Sequence, residues 1–310
     1  MATITKLASP SVAPTTPVKP QTLWGDAWLR FRKHKLAVGA SILLLLIIVV
    51  IVLGPLVWKI DPEYIDIVAA YSNMTPQHPF GTDNLGRDTL ARVMFGGRVS
   101  LAIGVTAMLI AMSIGTLVGL LAGYFNSLDN LLMRMTDTFL SLPLLPLLLV
   151  ITLLFRDSLR TAFGPELGIF ILTVVVIGGL GWMPTARLVR GDVLTVKERD
   201  FITAAGSLGA THLSILRRHI LPNVLSPVIV AATFSIASAI ITESALSFLG
   251  LGFPPDFPTW GRLLFDGKDY LTLTPALVLW PGLMISLTVL CVNFIGDGLR
   301  DALDPRLRKL

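Results

Sequence analysis

Six apolar runs, near 36–58, 99–124, 130–154, 167–188, 223–249 and 276–296, dominate the chain. At about 1.5 Å per residue each can cross a hydrocarbon core of about 30 Å, so the pattern predicts an all-α, polytopic membrane protein with six transmembrane helices. The first run is too long for the apolar core of a cleaved signal. Ahead of it, residues 1–22 carry Pro10, Pro14, Pro17 and Pro20 with little apolar material, which predicts a disordered tail. Residues 23–35, LWGDAWLRFRKHK, place Leu23, Trp24, Ala27, Trp28 and Phe31 on one helical stripe, with Arg30, Arg32, Lys33 and Lys35 elsewhere. That pattern suits an amphipathic interfacial helix resting on membrane lipid, or a plain basic anchor before a first span. A polar segment at 59–98 separates the first two runs; 99–300 holds the other five, with its longest charged interruption at 190–222, and 301–310 is a polar tail. Pro143 and Pro146 fall inside the third run and predict a kink.

Composition agrees with the pattern: 53% of the 310 residues are hydrophobic and only 15% charged. Six spans put both termini on one side of the membrane. If that side is the cytoplasm, basic residues favour it over the outside by about two to one, so the N- and C-termini, the 190–222 segment and both tails are expected inside and 59–98 outside. Orientation also accounts for the net charge of +5 without nucleic acid. Cys291, the lone cysteine, excludes an internal disulfide. No His, Cys, Asp or Glu cluster has metal-ligand spacing, and no phosphate-binding Gly-Lys-Ser/Thr loop or Gly-x-Ser-x-Gly elbow occurs. The chain is therefore expected to bind no metal or cofactor and to do no bond chemistry.

The stretch 197–222, KERDFITAAGSLGATHLSILRRHILP, reads as two short helices. Ala204, Ala205, Gly206 and Ser207 give the first a bare face, and Gly209 reverses the chain where a Cβ would be strained. Thr211 can cap the second, in which Leu213, Leu216 and Ile220 share a side and Arg217, Arg218 and His219 complement the C-terminal dipole; Pro222 ends it. A connecting loop, a DNA-reading helix-turn-helix and a rigid knob for a cytoplasmic partner are the competing readings. Tethering between spans and the want of a dense basic face weigh against DNA.

TAAGSLGATHLSILRRHILP resembles the EAA loop of ATP-binding-cassette importer permeases, with Ala204, Ala205, Gly209, Leu221 and Pro222 on the pattern. Thr203 replaces its glutamate, and Ile220 falls one place late. PFGTDNLGRDTLARVMFGGRVSL, from Pro79, resembles the signature of the dipeptide, oligopeptide and nickel branch, in the permease subunit with the longer N-terminus. Further blocks at 122–143, 243–264 and 293–307 extend the likeness over nearly everything after residue 22.

The resemblance implies a type I importer permease fold in the cell membrane. Its implied partners are a second, homologous permease, two ATPase subunits or domains carrying ATP and magnesium, and an extracytoplasmic substrate-binding protein. Glu198, Thr203, Ala204, Ala205, Gly209, Ala210, Arg218, His219 and Pro222 are then the residues expected to couple to the ATPase. Di- and oligopeptides are the expected cargo, with a nickel chelate as the alternative and an ATP-independent secondary transporter as the rival of another class.

Two polar groupings remain. On bare pattern, Leu85, Thr89 and Val93 give the 78–100 segment the apolar side of a helix lying along the membrane, with Asp83, Arg87, Asp88 and Arg92 toward water. Within the spans, Arg134 and Asp137 are spaced to pair with each other or a neighbouring chain. Glu243, Ser244 and Ser247 lie late in the fifth span, Glu243 and Ser247 on one face. The glutamate is either held by a partner in the bundle or faces a water-filled translocation pathway, where it meets the amino end of a peptide.

Overall fold

The computed structural model describes residues 23–304, so the tail expected at 1–22 and most of that at 301–310 lie outside the described residues. Helix α1 (Leu23–Lys33) buries Ala27 and Phe31 against Ala37 and Ala302 and leaves Trp28 and Leu29 outward. His34 interrupts the helix and caps the next, α2 (Lys35–Val57), its Nδ1 accepting from the Ala37 N–H at 3.1 Å.

Helix α3 (Thr89–Tyr124) starts ten residues before the expected span, and this corrects the reading of 78–100. No separate surface helix forms: Thr89 to Met94 are the opening turns of α3, capped by Asp88, which accepts from the Ala91 N–H at 2.7 Å and from Trp58 Nε1 at 3.0 Å. Asp83, Arg87, Asp88 and Arg92, expected in water, are buried. Asp88 is held by Trp58, the Ala91 N–H and His78, and the other three satisfy one another. Asp83 accepts from the Leu85 and Arg87 N–H groups, both at 2.9 Å, from Arg87 Nε at 2.7 Å and from Arg92. Arg92 also donates to the Pro255 carbonyl at 3.0 Å and lies 3.5 Å from Asp266. A buried charge is tolerable only when so compensated, and an amphipathicity pattern does not see pairing across 174 residues of sequence. Tyr71 meets Tyr270 at 5.2 Å between ring centroids, and its hydroxyl, hydrogen-bonded to Tyr270, is pushed up to about 12.

The third apolar run is broken rather than kinked. Helices α4 (Asn126–Ser141) and α5 (Leu144–Phe163) meet at 87°, with Leu142 extended at φ −77°, ψ 139°. The residue before a proline is driven out of the helical region, so Pro143 opens a new helix instead of bending an old one. Asp137 correspondingly pairs with Arg187 at 2.6 Å, and not with Arg134.

Helices α6 (Pro165–Leu180) and α7 (Met183–Lys197) form one continuous crossing, packed on α3. Gly115, Gly119 and Gly123 of α3 permit that approach, since a Cβ at Gly119 would lie 2.6 Å from the Ala186 carbonyl and 2.7 Å from Val189 Cβ. Short α8 (Asp200–Ser207) and α9 (His212–Ile215) precede α10 (Leu221–Phe248), α11 (Trp260–Gly267) and α12 (Ala276–Leu303). Five long apolar crossings, with the bent α4–α5 pair as a sixth, match the expected count, and among the described residues there is no strand beyond one isolated Thr82–Asp88 bridge.

Candidate functional site

The α8–α9 region is a knob, built as the residues dictate. Gly209 has φ +80°; the Ala210 N–H donates to the Ala205 carbonyl at 3.1 Å and the Gly209 N–H to the Gly206 carbonyl at 3.0 Å, the paired bonds of a Schellman cap. Thr211 then caps α9, accepting weakly from the Ser214 N–H at 3.4 Å. Leu216–Ile220 widen into a single π-helical turn, and the helix runs on into α10. Pro222 does not end the helix as expected. It stands in the first turn of α10, where the wider turn frees its ring from the carbonyl four residues back that would block it in an unbroken α-helix.

One side of the knob is sewn to the bundle. Ile202, Ile215 and Ile220 are buried with Val189, Val193 and Val224, Tyr124 Oη lies 2.8 Å from His212 Nδ1, and Lys197 Nζ donates to the Tyr124 carbonyl at 2.8 Å. Beside it Arg190 grips Asp129 through two bonds of 2.5 and 2.7 Å. The other side is bare. Glu198, Thr203, Ala204 and Arg218 are exposed, Ala205, Ala210 and His219 half-buried, and added Cβ atoms at Gly206 or Gly209 would meet nothing within 4 Å. Leu213, expected to share a side with Leu216 and Ile220, is 73% exposed while Ile220 is buried, and Leu208 is 89% exposed. A rigid mount with an open face of small, apolar and basic groups suits docking to another protein.

A cavity of about 1140 Å³ borders the base of the knob, between α3, α7, α10, α1 and the end of α12. One face of α10 lines it with Asn223, Ser226, Ser235 and Ser238, α7 supplies Asp192 and Thr195, and Arg30 and Arg300 stand at the helix ends around it.

Glu243, Ser244 and Ser247 are buried and lie outside that cavity. The Glu243 carboxylate accepts from Ser247 and Thr259, both at 2.8 Å, and from Ser100 at 3.3 Å. Because Ser100 Oγ already accepts the Trp260 N–H and Thr259 Oγ1 the Arg262 N–H, each has its one proton free for the glutamate. The group ties α3, α10 and the start of α11 together.

Residues 115–309 match the family described as binding-protein-dependent transport system inner membrane component, and residues 22–76 match the N-terminal TM domain of oligopeptide transport permease C. The chain is 40% identical over 294 residues to the oligopeptide transport system permease protein OppC of Escherichia coli K12, covering 94% of each. It is 38% identical over 291 residues to OppC of Haemophilus influenzae, covering 93% of this chain and 90% of that one. The glutathione transport system permease protein GsiD of Pectobacterium atrosepticum is also 38% identical, with 93% of each chain covered. The chain belongs to the binding-protein-dependent transport permeases. Its fold resembles a chain of the inward-facing MetNI methionine ABC transporter, with a TM-score of 0.54 at 19% identity over 67% of this chain and 94% of that one.

The permease is thus a multi-pass inner-membrane transport subunit with a type I importer fold. Two of its features lay beyond sequence reasoning. The polar face of α10 that lines the cavity consists of single serines in an apolar run, and its only signal is their recurrence at helical spacing, as at Ser235 and Ser238. Asp192 sits in the charged stretch that closes α7 and carries no signal of its own.

Proposed function

We propose that this permease forms one half of the membrane pathway of an ATP-driven importer of di- and oligopeptides. The observation that carries the reading is the solvent-open knob, fixed to the ends of α3, α7 and α10, the helices that also wall the cavity. Force applied to such a knob reaches the cavity without a flexible joint. Relatives named as oligopeptide and glutathione transport permeases support the peptide cargo.

In this reading two ATPase subunits carry ATP and magnesium, a second homologous permease supplies the facing wall, and a binding protein delivers cargo from outside. This chain holds no cofactor. Ala204, Ala205, Gly209, Ala210 and Thr203 form the docking face with Glu198, Arg218 and His219 at its rim, and Pro222 sets the angle between knob and α10. Nucleotide draws the ATPases together, the knobs follow, and α7 and α10 rock between inward-open and outward-open arrangements. The Asn223, Ser226, Ser235 and Ser238 face offers short hydrogen-bonding groups along the route, while Glu243 with Ser244 and Ser247 holds the outer end of α10 beside it.

The test is mild detergent extraction of the permease from its native membrane, identification of what remains bound, and peptide uptake by the recovered complex in liposomes. Recovery of a related permease and nucleotide-binding subunits, with uptake that requires ATP, is expected. Recovery of this chain alone, where a control complex survives, would overturn the reading.

A further inference from the structure

The carboxylates of the helical bundle differ in how they are satisfied. Asp129 is gripped by Arg190, Asp137 by Arg187, and Glu243 by three hydroxyls. Asp192 has nothing. Its Oδ2 is shielded and makes no hydrogen bond, and no ion pair reaches the side chain among the described residues, although the residue borders the 1140 Å³ cavity. Three guanidinium groups line the same cavity, those of Arg30 on α1, Arg199 just after α7 and Arg300 on α12, yet none is within ion-pair distance of it. A half-dehydrated, unpaired carboxylate is costly in a helical bundle, and the cost is relieved by a cation arriving from the cavity.

We infer that Asp192 is the group of this permease that meets the ammonium of a peptide's free amino end as it crosses the cavity. The inference rests on the peptide-import reading and deepens it. Glu243 lies outside the cavity with its carboxylate held by Ser100, Ser247 and Thr259, whereas Asp192, near the end of α7, borders the cavity and its half-buried side chain makes no hydrogen bond among the described residues. Asp192 is also well placed to report occupancy. It lies on α7 five residues before Lys197, whose ammonium holds the Tyr124 carbonyl at the knob's base, so a cation bound there pulls on the helix that mounts the knob.

The experiment uses the complete importer with its binding protein in proteoliposomes. Two peptides of one sequence, one with a free amino terminus and one N-acetylated, are chosen so that the wild-type complex imports both. Each variant's rate is divided by the wild-type rate for the same peptide, which cancels the binding protein's own preference. For Asp192→Asn the free-amine peptide is expected to slow more than about tenfold, the scale of one lost charged hydrogen bond, and the acetylated peptide less than about twofold. Asp192→Glu restores most of the difference, and the melting temperature of the Asn complex is unchanged or higher. Equal loss for both peptides, or a lower melting temperature, would assign Asp192 to a basic group of a neighbouring subunit and overturn the inference; so would no loss for either. Absence of ATP-dependent peptide uptake by the wild-type complex is a separate result, which removes the peptide reading itself.

Discussion

Gly209 and Glu243 act on different parts of the permease, and single substitutions separate them. At Gly209 a side chain would sit at φ +80° in open space, so Gly209→Asp costs about 1 kcal/mol in the backbone and disturbs no packing. It does put a negative charge on the proposed docking face. Uptake is expected to fall at least about tenfold while the amount of permease in the membrane and its melting temperature stay near wild type; normal uptake would remove the knob from coupling. Glu243→Ala is the opposite case. It strands the protons of Ser100, Ser247 and Thr259 in a closed site, a loss of about 2–3 kcal/mol, and should lower the melting temperature and slow free-amine and acetylated peptides alike. Glu243→Gln should be milder, because an amide oxygen still accepts from Ser247 and Thr259. The sequence shows Glu243 as a polar residue in an apolar run and puts Ser247 beside it by helical spacing. It does not show Thr259 and Ser100, which only the return of the loop after α10 and the packing of α3 deliver.

Helix types were more legible than helix ends. The apolar runs located every crossing, and Gly209 and Thr211 marked the turn and cap of the knob from local chemistry alone, since those preferences belong to single residues. Prolines were harder, because one proline can end, bend or start a helix depending on what the neighbouring turn does. Pro143 starts one, and Pro222 is carried through by the π turn at Leu216–Ile220. That turn inserts one residue into the helical register, and so rotates the knob by about 100° relative to α10. Pro222→Ala removes the reason for the widened turn. If the register relaxes to a plain α-helix, the knob is re-aimed while α10 still crosses the membrane. The expected outcome is ATP hydrolysis near the wild-type rate with peptide moved per ATP reduced several-fold. Unchanged transport per ATP would mean that Pro222 does not set the angle.

For the whole molecule, everything proposed about the knob depends on which side of the membrane it occupies, because an ATPase can dock only where ATP is. The proposed mechanism needs the knob, α1 and the end of α12 inside and the Asp83 and Arg92 cluster with Tyr71 and Tyr270 outside, the orientation that the excess of basic residues in the loops favours. The permease is well suited to a direct check. Cys291 is its single cysteine and is buried in α12, so Cys291→Ser provides a background without reactive thiols. Two exposed positions then report the two faces: Val68, 98% exposed in the polar segment before α3, and Leu208, 89% exposed at the tip of α8. In cells whose inner membrane is intact but accessible, a membrane-impermeant maleimide is expected to label Val68→Cys at once and Leu208→Cys only after that membrane is opened. The reverse pattern would place the knob outside, beyond the reach of any nucleotide-binding partner, and the importer mechanism would fall with it. Labelling of neither position in sealed cells, with both labelled in detergent, would bury Val68 against another subunit and make the outer segment an interface of the complex.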